Sequence, residues 1–195
     1  DFSGFPQQLY DIAYPAPGDP GLAGRVRDLL SPLPVDLDEK RGLDHGTWTV
    51  LRHVFPEADV PFVQLSIDRT KPAQYHFDLG KQLAPLRDEG VLIAGSGNIV
   101  HNLYLYSWER SRIVKPFDWA ERFESNTREF LISGDYDSLV NYGVMGNDAL
   151  LSIPNPDHYL PLLYIAALRR QGEQVSFPLA RFDGGSISML CVRFG

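Results

Sequence analysis

The sequence contains very little cysteine. Cys191 is its only cysteine, so an internal disulfide is excluded. A chain that uses no disulfides is typical of a reducing compartment, and we expect a cytoplasmic protein. Cys191 lies on one face of a predicted strand near the C-terminus, among apolar residues. This position predicts a packed thiol rather than a reactive one.

A block of positive charge and a long apolar run are also missing. Lys and Arg total 18 against 25 Asp and Glu, which gives a formal net charge of −7. An acidic chain without a basic cluster argues against nucleic acid or an anionic membrane surface as a partner. No apolar run approaches the ~18 residues of a membrane span. The hydrophobic fraction of 44% excludes a disordered chain, so we expect a folded globular protein.

The chain lacks an initiating methionine as well. It begins at Asp1 and runs directly into the aromatic residues Phe2, Phe5 and Tyr10. This opening resembles neither a signal peptide nor a polar tail. It is typical of the interior of a longer protein.

What the sequence does contain is a series of helix signals. Asp19-Pro20 and Asn155-Pro156 each place a capping side chain before a proline, which suits the start of a helix. In the helix predicted over 117–131, Phe123 faces inward and Glu124 faces solvent. Apolar spacing and prolines place the remaining helices at about 47–55, from 71 onward, and at 135–142.

Strand signals lie between and after these helices. The short apolar runs 60–67 and 91–94 predict buried strands of a parallel or mixed sheet. Residues 174–180 and 186–194, joined by Asp183-Gly184-Gly185, predict an antiparallel hairpin. We therefore expect a single α/β domain over residues 1–195, built from layers of helices and strands.

Three of the five histidines lie where a sheet of this kind binds its ligands. His45 leads into a helix, His101 follows a glycine turn after a predicted strand, and His158 lies in the first turn of a helix. Ligands of open α/β sheets bind beyond the carboxyl ends of the strands, where such loops gather. Imidazoles there serve as metal ligands or proton carriers, although a lone histidine is more often structural. His53 and His76 fit surface or packing positions.

The turn Gly95-Ser96-Gly97-Asn98 carries little information by itself. It lacks the third glycine and acidic residue of a dinucleotide fingerprint, and it lacks the lysine of a phosphate-binding loop. Ser96 does not lie in the Gly-x-Ser-x-Gly elbow that a nucleophilic serine requires.

Five longer segments, taken together in their order and spacing, carry a family resemblance. They are Gly42-Leu43-Asp44-His45-Gly46-Thr47-Trp48, Gln64-Leu65-Ser66-Ile67, Gly95-Ser96-Gly97-Asn98-Ile99-Val100-His101-Asn102-Leu103, His158-Tyr159-Leu160-Pro161-Leu162-Leu163-Tyr164 and Gly185-Ser186-Ile187-Ser188-Met189. With the earlier Gly4-Phe5-Pro6 and Tyr14-Pro15-Ala16-Pro17-Gly18, this series resembles the DOPA-dioxygenase branch of the class III extradiol ring-cleavage dioxygenases, the LigB-like superfamily. The resemblance extends over essentially the whole chain.

The resemblance implies a fold and a chemistry. The fold is a three-layer α/β/α sandwich with a mostly parallel or mixed central sheet. The cofactor is a mononuclear non-haem Fe(II), replaced by zinc in some isolated proteins. The substrates are dioxygen and a catechol, whose ring opens next to the diol.

The resemblance also implies roles for individual residues. His158 matches a metal ligand, at the position where a carboxylate completes the usual facial triad. His101 matches the general acid/base, and the resemblance places it close enough to the metal to be a ligand when the site is resting or zinc-loaded. His45 matches a residue that contacts substrate or bound oxygen. Asp44 and Asp157 are candidates for orienting the neighbouring imidazoles.

One departure from the family pattern shapes the hypothesis. The family's His-Gly-Ser-Pro-like and Ser-Ala-His-Trp motifs, each with one metal-binding histidine, do not occur in this sequence. We expect a preceding N-terminal segment or a partner chain to supply those ligands. Two alternatives stay open: a metal-free binding module that kept the fold, and a metal-dependent hydrolase on a similar scaffold.

The substrate pocket is less defined by the sequence. Five aromatic residues are candidates to line it, although packing in the core is the favoured role for most of them. They are Phe5, Tyr10, Tyr104, Tyr106 and Tyr159.

Overall fold

The computed structural model describes residue 4, residues 6–109 and residues 114–195. The chain divides into two compact units, Asp1–Ser66 and Ile67–Gly195. Phe2 and Phe5, which the sequence singled out, lie outside the described residues.

The described residues of the first unit form three helices, α1 (Gln7–Tyr10), α2 (Pro20–Leu29) and α3 (His45–Val54). The predicted cap of α2 is confirmed, because the Asp19 carboxylate accepts a hydrogen bond from the Leu22 backbone N–H at 2.9 Å. Val26 of α2, with Leu30 just after it, and Leu51 of α3 are the buried hydrophobic residues of this unit.

The second unit is mainly helical. Its α-helices are α4 (Ala73–Gln82), α5 (Asp118–Ser133), α6 (Tyr136–Val140), α7 (Asn147–Ser152) and α8 (Leu160–Ala167). Three 3₁₀ turns lie between them, at Ala84–Arg87, Tyr142–Met145 and Pro156–His158. Helix α4 packs on α8 and α5 packs on α7, around a core that includes the fully buried Phe123, Tyr159 and Leu163.

The predicted C-terminal hairpin is confirmed, although it is divided in two. Strand β1 (Val175–Leu179) pairs antiparallel with β4 (Cys191–Phe194), and β2 (Phe182–Asp183) pairs antiparallel with β3 (Ile187–Ser188). The chain is therefore a mixed α/β protein with a small antiparallel set of strands at its C-terminal end.

The two predicted strands at 60–67 and 91–94 are absent from the described residues. Phe62 makes a single parallel bridge with Gly18, and 91–94 is extended chain without a ladder. In this run Val91 and Ile93 are half-buried, whereas Leu92 is 80% exposed. The alternation is that of a strand, but a strand needs hydrogen-bonding neighbours, and no described segment pairs with it.

Two predictions about the burial of side chains are wrong. Cys191 is exposed, because the inward-facing positions of its segment are those of Ser186 and Ser188. Glu124 is buried rather than solvated, and its carboxylate accepts a hydrogen bond from the Ser188 hydroxyl at 2.6 Å. A buried carboxylate requires such a partner, which compensates for lost hydration.

Candidate active site

The glycine turn at 95–98 lies directly against the backbone of His158, two residues before α8. The Asn98 backbone N–H donates to the His158 carbonyl at 2.9 Å, and the Asn98 side-chain amide donates to the Ser188 carbonyl at 2.7 Å. A Cβ atom at Gly97 would lie 2.2 Å from the His158 carbonyl oxygen. Only glycine permits this approach, so the turn is built to hold the His158 backbone.

The backbone that follows the turn is fixed on both sides. The His101 N–H donates to the Ser152 carbonyl at 2.9 Å, at the end of α7. The Ser188 N–H donates to the Val100 carbonyl at 3.0 Å, and the Asn102 N–H donates to the Ser186 carbonyl at 3.1 Å. These bonds attach the segment around His101 to α7 and to β3.

His158 is positioned by a different set of contacts. It ends the 3₁₀ turn Pro156–His158, which Asn155 caps by accepting a hydrogen bond from the Asp157 N–H at 3.1 Å. The next residue, Tyr159, is fully buried and donates its hydroxyl proton to the Leu139 carbonyl at 2.9 Å. The turn is therefore anchored in the core one residue beyond the histidine.

The hydrogen bonds that hold these two segments bring His101 and His158 together. Their rings are stacked with 3.7 Å between centroids and 15° between planes, and both side chains belong to half-buried residues. The histidines are 57 positions apart in the sequence, so the contact is a product of the fold.

The donor chemistry of this pair suits a transition metal. Imidazole is a ligand for iron and for zinc. Within residue 4 and residues 6–109 and 114–195, no group of three or more His, Cys, Asp or Glu side chains is placed to hold a metal ion. The pair thus offers two donors, and a complete metal site requires further ligands.

Asp157, next to His158, contacts a residue that the sequence did not single out. Its Oδ2 lies 3.3 Å from Nη1 of Arg69, while Oδ1 is buried with no hydrogen-bond partner among the described residues. The suggestion that Asp157 orients a neighbouring imidazole stays a prediction. Arg69 itself lies in an ordinary polar turn, and no sequence signal marks its contact with Asp157.

His45 belongs to the first unit and is described within it. It is the exposed first residue of α3, directly after the N-cap Asp44. The Asp44 carboxylate accepts from the Thr47 N–H at 2.9 Å and from the Gln64 side-chain amide at 2.7 Å. One carboxylate oxygen therefore caps the first turn of α3, and the other binds the Gln64 side chain.

The candidate pocket aromatics separate into different environments. Tyr159 is a core residue, as packing would require. Tyr104 is 91% exposed, and Tyr10 is also exposed. Tyr106 donates its hydroxyl proton to Asp183 at 2.9 Å. The prediction of core packing is therefore confirmed for Tyr159 and is wrong for Tyr104 and Tyr10.

Comparison with known proteins assigns the chain to a family. Residues 1–168 match the model described as the catalytic LigB subunit of aromatic ring-opening dioxygenase. The chain belongs to the LigB family of ring-opening dioxygenases. The family resemblance carried by the histidine and glycine segments is confirmed, and with it the class of enzyme: one that opens aromatic rings with dioxygen.

Individual relatives of this LigB-family chain agree with the assignment. It is 47% identical to a protein of Escherichia coli K12 named 4,5-DOPA dioxygenase extradiol, over all of this chain and 72% of the relative. It is 39% identical to a Beta vulgaris protein of the same name, with the same coverage. A crystal structure of an uncharacterized Escherichia coli K12 protein superposes with a TM-score of 0.88 at 46% identity, covering 96% of this chain and 77% of that one.

Among the described residues, no helix combines the length and the apolar character that crossing a bilayer requires.

Proposed function

We propose that this LigB-family chain opens the ring of a catechol such as DOPA next to its two hydroxyls, with dioxygen and a non-haem Fe(II). The observation that carries the proposal is the stacked His101–His158 pair, held by a glycine turn that contacts the His158 backbone. The relatives named 4,5-DOPA dioxygenase extradiol support the substrate class.

In this proposal the histidines have separate roles. His158 is a metal ligand. His101 is the acid/base and serves as a second ligand only in the resting or zinc-loaded site. Iron is the working metal, and zinc is the substitute expected in isolated protein. When bound, the metal allows a singlet catechol and triplet dioxygen to exchange electrons. The further ligands are expected from an N-terminal segment or from a partner chain.

The proton chemistry follows from the properties of imidazole. A catechol must lose hydroxyl protons when it binds a metal, and a neutral imidazole accepts a proton near neutral pH. His101 is held by its backbone and by the stacked His158 ring, so its proton-accepting atom is kept in place while substrate binds. His45 is proposed to contact substrate or oxygen.

The proposal also covers the extent of the domain and the arrangement of its central sheet. We take residues 1–195 as one catalytic domain of the three-layer α/β/α type, with a mostly parallel central sheet. The extended backbone of the run 91–94, whose side chains alternate in burial, supports a strand conformation for these residues.

The test compares three variants, His158→Ala, His101→Gln and the exposed His53→Gln as the matched control. Each protein, assembled with the N-terminal segment or partner chain that supplies the further ligands, is loaded with Fe(II) without oxygen, its bound iron is measured, and oxygen uptake with L-DOPA is followed. We expect His158→Ala to lose bound iron. His101→Gln should keep at least part of its iron and lose about 10²–10⁴ of the turnover rate.

Two results would contradict the proposal. One is unchanged turnover in both His158→Ala and His101→Gln. The other is an unsubstituted protein that, assembled with the segment or chain carrying the further ligands, binds no iron and has a stability that chelators do not change, which would favour the metal-free binding module.

A further inference from the structure

Arg69 is presented by a short, internally bonded turn just before α4. The Asp68 carboxylate accepts hydrogen bonds from the Thr70 N–H at 3.0 Å and from the Thr70 hydroxyl at 2.6 Å. These bonds fix the backbone on both sides of Arg69. The Arg69 side chain is 69% exposed, so its guanidinium is available to a solute.

The position of this guanidinium is set by Asp157. The contact between Nη1 of Arg69 and Oδ2 of Asp157 joins the turn to the residue immediately before His158. Asp157 is the more buried partner, with 32% of its side chain exposed. The carboxylate thus lies on the inner side and the cation on the outer side of this pair.

Among the described residues, the pairing with Asp157 uses one nitrogen of the Arg69 guanidinium. Arg122 binds Asp148 through two nitrogens at 2.8 Å each, and Arg87 likewise binds Glu173 through two nitrogens. In the described part of the chain, Arg69 makes one long contact, of 3.3 Å. A guanidinium carries five N–H donors in a fork that matches a carboxylate, so several remain for a second acceptor.

Stability gives little reason for this arrangement. An exposed ion pair held by one contact adds little to the free energy of unfolding. The arrangement does fit the recognition of an anion, because Asp157, which holds this cation, directly precedes His158 in the chain. A guanidinium there can bind an acidic group on a molecule that reaches the histidine pair.

We propose that Arg69 binds the carboxylate of the substrate, so that the site prefers catechols that carry a carboxylate on their side chain. This inference rests on the proposed function, since it assumes that a catechol binds at His101 and His158. Asp157 acts as the positioning residue that directs Arg69. The proposal assigns a substrate-binding role to a residue outside the histidine segments.

L-DOPA and dopamine form a suitable pair of probes because they differ only in the carboxylate. Binding of each is measured by calorimetry to Fe(II)-loaded protein without oxygen, and turnover is then measured with oxygen. The variants are Arg69→Gln, Arg69→Lys and, as control, Arg170→Gln. Arg170 also has a single ion pair, with Asp88 at 2.7 Å, but it follows the C-terminal end of α8, whereas Asp157 precedes the N-terminal end.

The expected result is a selective loss. Arg69→Gln should weaken L-DOPA binding about ten- to a hundredfold, the range for a charge-assisted hydrogen bond, and change dopamine binding less than about twofold. Arg69→Lys should retain part of the preference, because it keeps the charge and loses the fork. Arg170→Gln should match the unsubstituted protein.

Several outcomes would overturn the assignment of Arg69. They are equal losses for both probes in Arg69→Gln, no change in either, an unsubstituted protein without a preference for L-DOPA, and an unsubstituted protein that binds neither probe. If binding depends on Arg69 and the carboxylate while neither probe is cleaved, the carboxylate site stands and the proposed ring-opening activity fails. The two proposals are therefore tested separately.

Discussion

At the scale of single residues, the position of His158 depends on the absence of a side chain at Gly97. Replacing Gly97 with alanine puts a carbon 2.2 Å from the His158 carbonyl oxygen, and both atoms belong to backbone that the surrounding contacts hold. We expect Gly97→Ala to lower the free energy of unfolding by about 1–3 kcal/mol, as overpacking typically does. Denaturant unfolding measures this loss.

Gly143→Ala is the matched control for this prediction. A Cβ at Gly143 meets nothing within 4 Å among the described residues, so this substitution should leave stability nearly unchanged. Equal stability of the two variants would show that the turn at 95–98 has room to move away from His158.

Residue-level expectations failed where a side chain depends on a distant partner. Glu124 resembles a solvated position of an amphipathic helix, and only the fold reveals that the Ser188 hydroxyl meets its carboxylate. The predicted alternation of side chains around Cys191 is present, but the serines rather than the thiol face inward. Ser186 and Ser188 hydrogen-bond to the segment around His101 and to Glu124. Spacing along a strand does not say which face is buried.

At the scale of elements, the packing of α4 on α8 depends on a second close approach. A Cβ at Gly80 would lie 2.7 Å from the Tyr164 carbonyl oxygen and 3.0 Å from the Ala167 Cβ. Gly80→Ala would normally favour a helix by about 1 kcal/mol. We expect instead a net loss of stability, because the two helices must move apart.

The comparison for Gly80→Ala is Gly24→Ala in α2, where a Cβ has open space. Gly24→Ala should raise the midpoint of thermal unfolding, or leave it unchanged, while Gly80→Ala should lower it. A rise for both variants would mean that α4 and α8 are not in tight contact at this position.

Helices were easier to predict than strands. A helix satisfies its hydrogen bonds locally, and its start is marked by caps such as Asp19, which functions as expected. Asn155 caps only the 3₁₀ turn Pro156–His158, and α8 begins separately at Leu160. A strand such as the one expected at 91–94 needs a partner that is remote in sequence, and an apolar run carries no information about that partner. The C-terminal hairpin was predictable because its partners are adjacent in the chain.

At the scale of the whole molecule, stability should depend on pH through His76. This residue is fully buried on α4, where its Nδ1 lies 2.9 Å from the Tyr164 hydroxyl and its ring packs edge-on against Tyr75. Burial lowers the pKa of His76 below its ordinary value of 6.5, against smaller opposing effects of the Lys71 and Asp68 backbone and of the Asp68 carboxylate. Burial also raises the pKa of Tyr164 to about 12, so its hydroxyl stays protonated.

The sign of the pH effect follows from this lowered pKa. The unfolded chain binds a proton at His76 near pH 6.5, whereas the folded chain resists it until lower pH. The free energy of unfolding therefore falls as pH decreases below about 6.5, by at most about 1.4 kcal/mol per pH unit for one proton. We expect His76→Gln to lose less stability than the unsubstituted protein between pH 7.5 and 5.5.

His53→Gln provides the control, because His53 is exposed on α3. Its pH profile of unfolding should run parallel to that of the unsubstituted protein. Parallel profiles for His76→Gln as well would mean that His76 takes up its proton equally in the folded and unfolded chain.

The family was recognisable at this scale because several motifs occur in a fixed order. The same motifs indicated which histidines to consider, and the fold brought His101 and His158 into contact. The sequence could not predict Arg69 beside Asp157, since a contact between positions 88 residues apart leaves no local pattern.

The exposed Cys191 has a practical consequence. It is the only thiol in the sequence and lies on β4, whose ladder with β1 ends at Cys191. A maleimide dye or a nitroxide attached there marks one defined position per chain. Spectroscopic distances from that label to a paramagnetic metal would then locate the metal without any engineered cysteine.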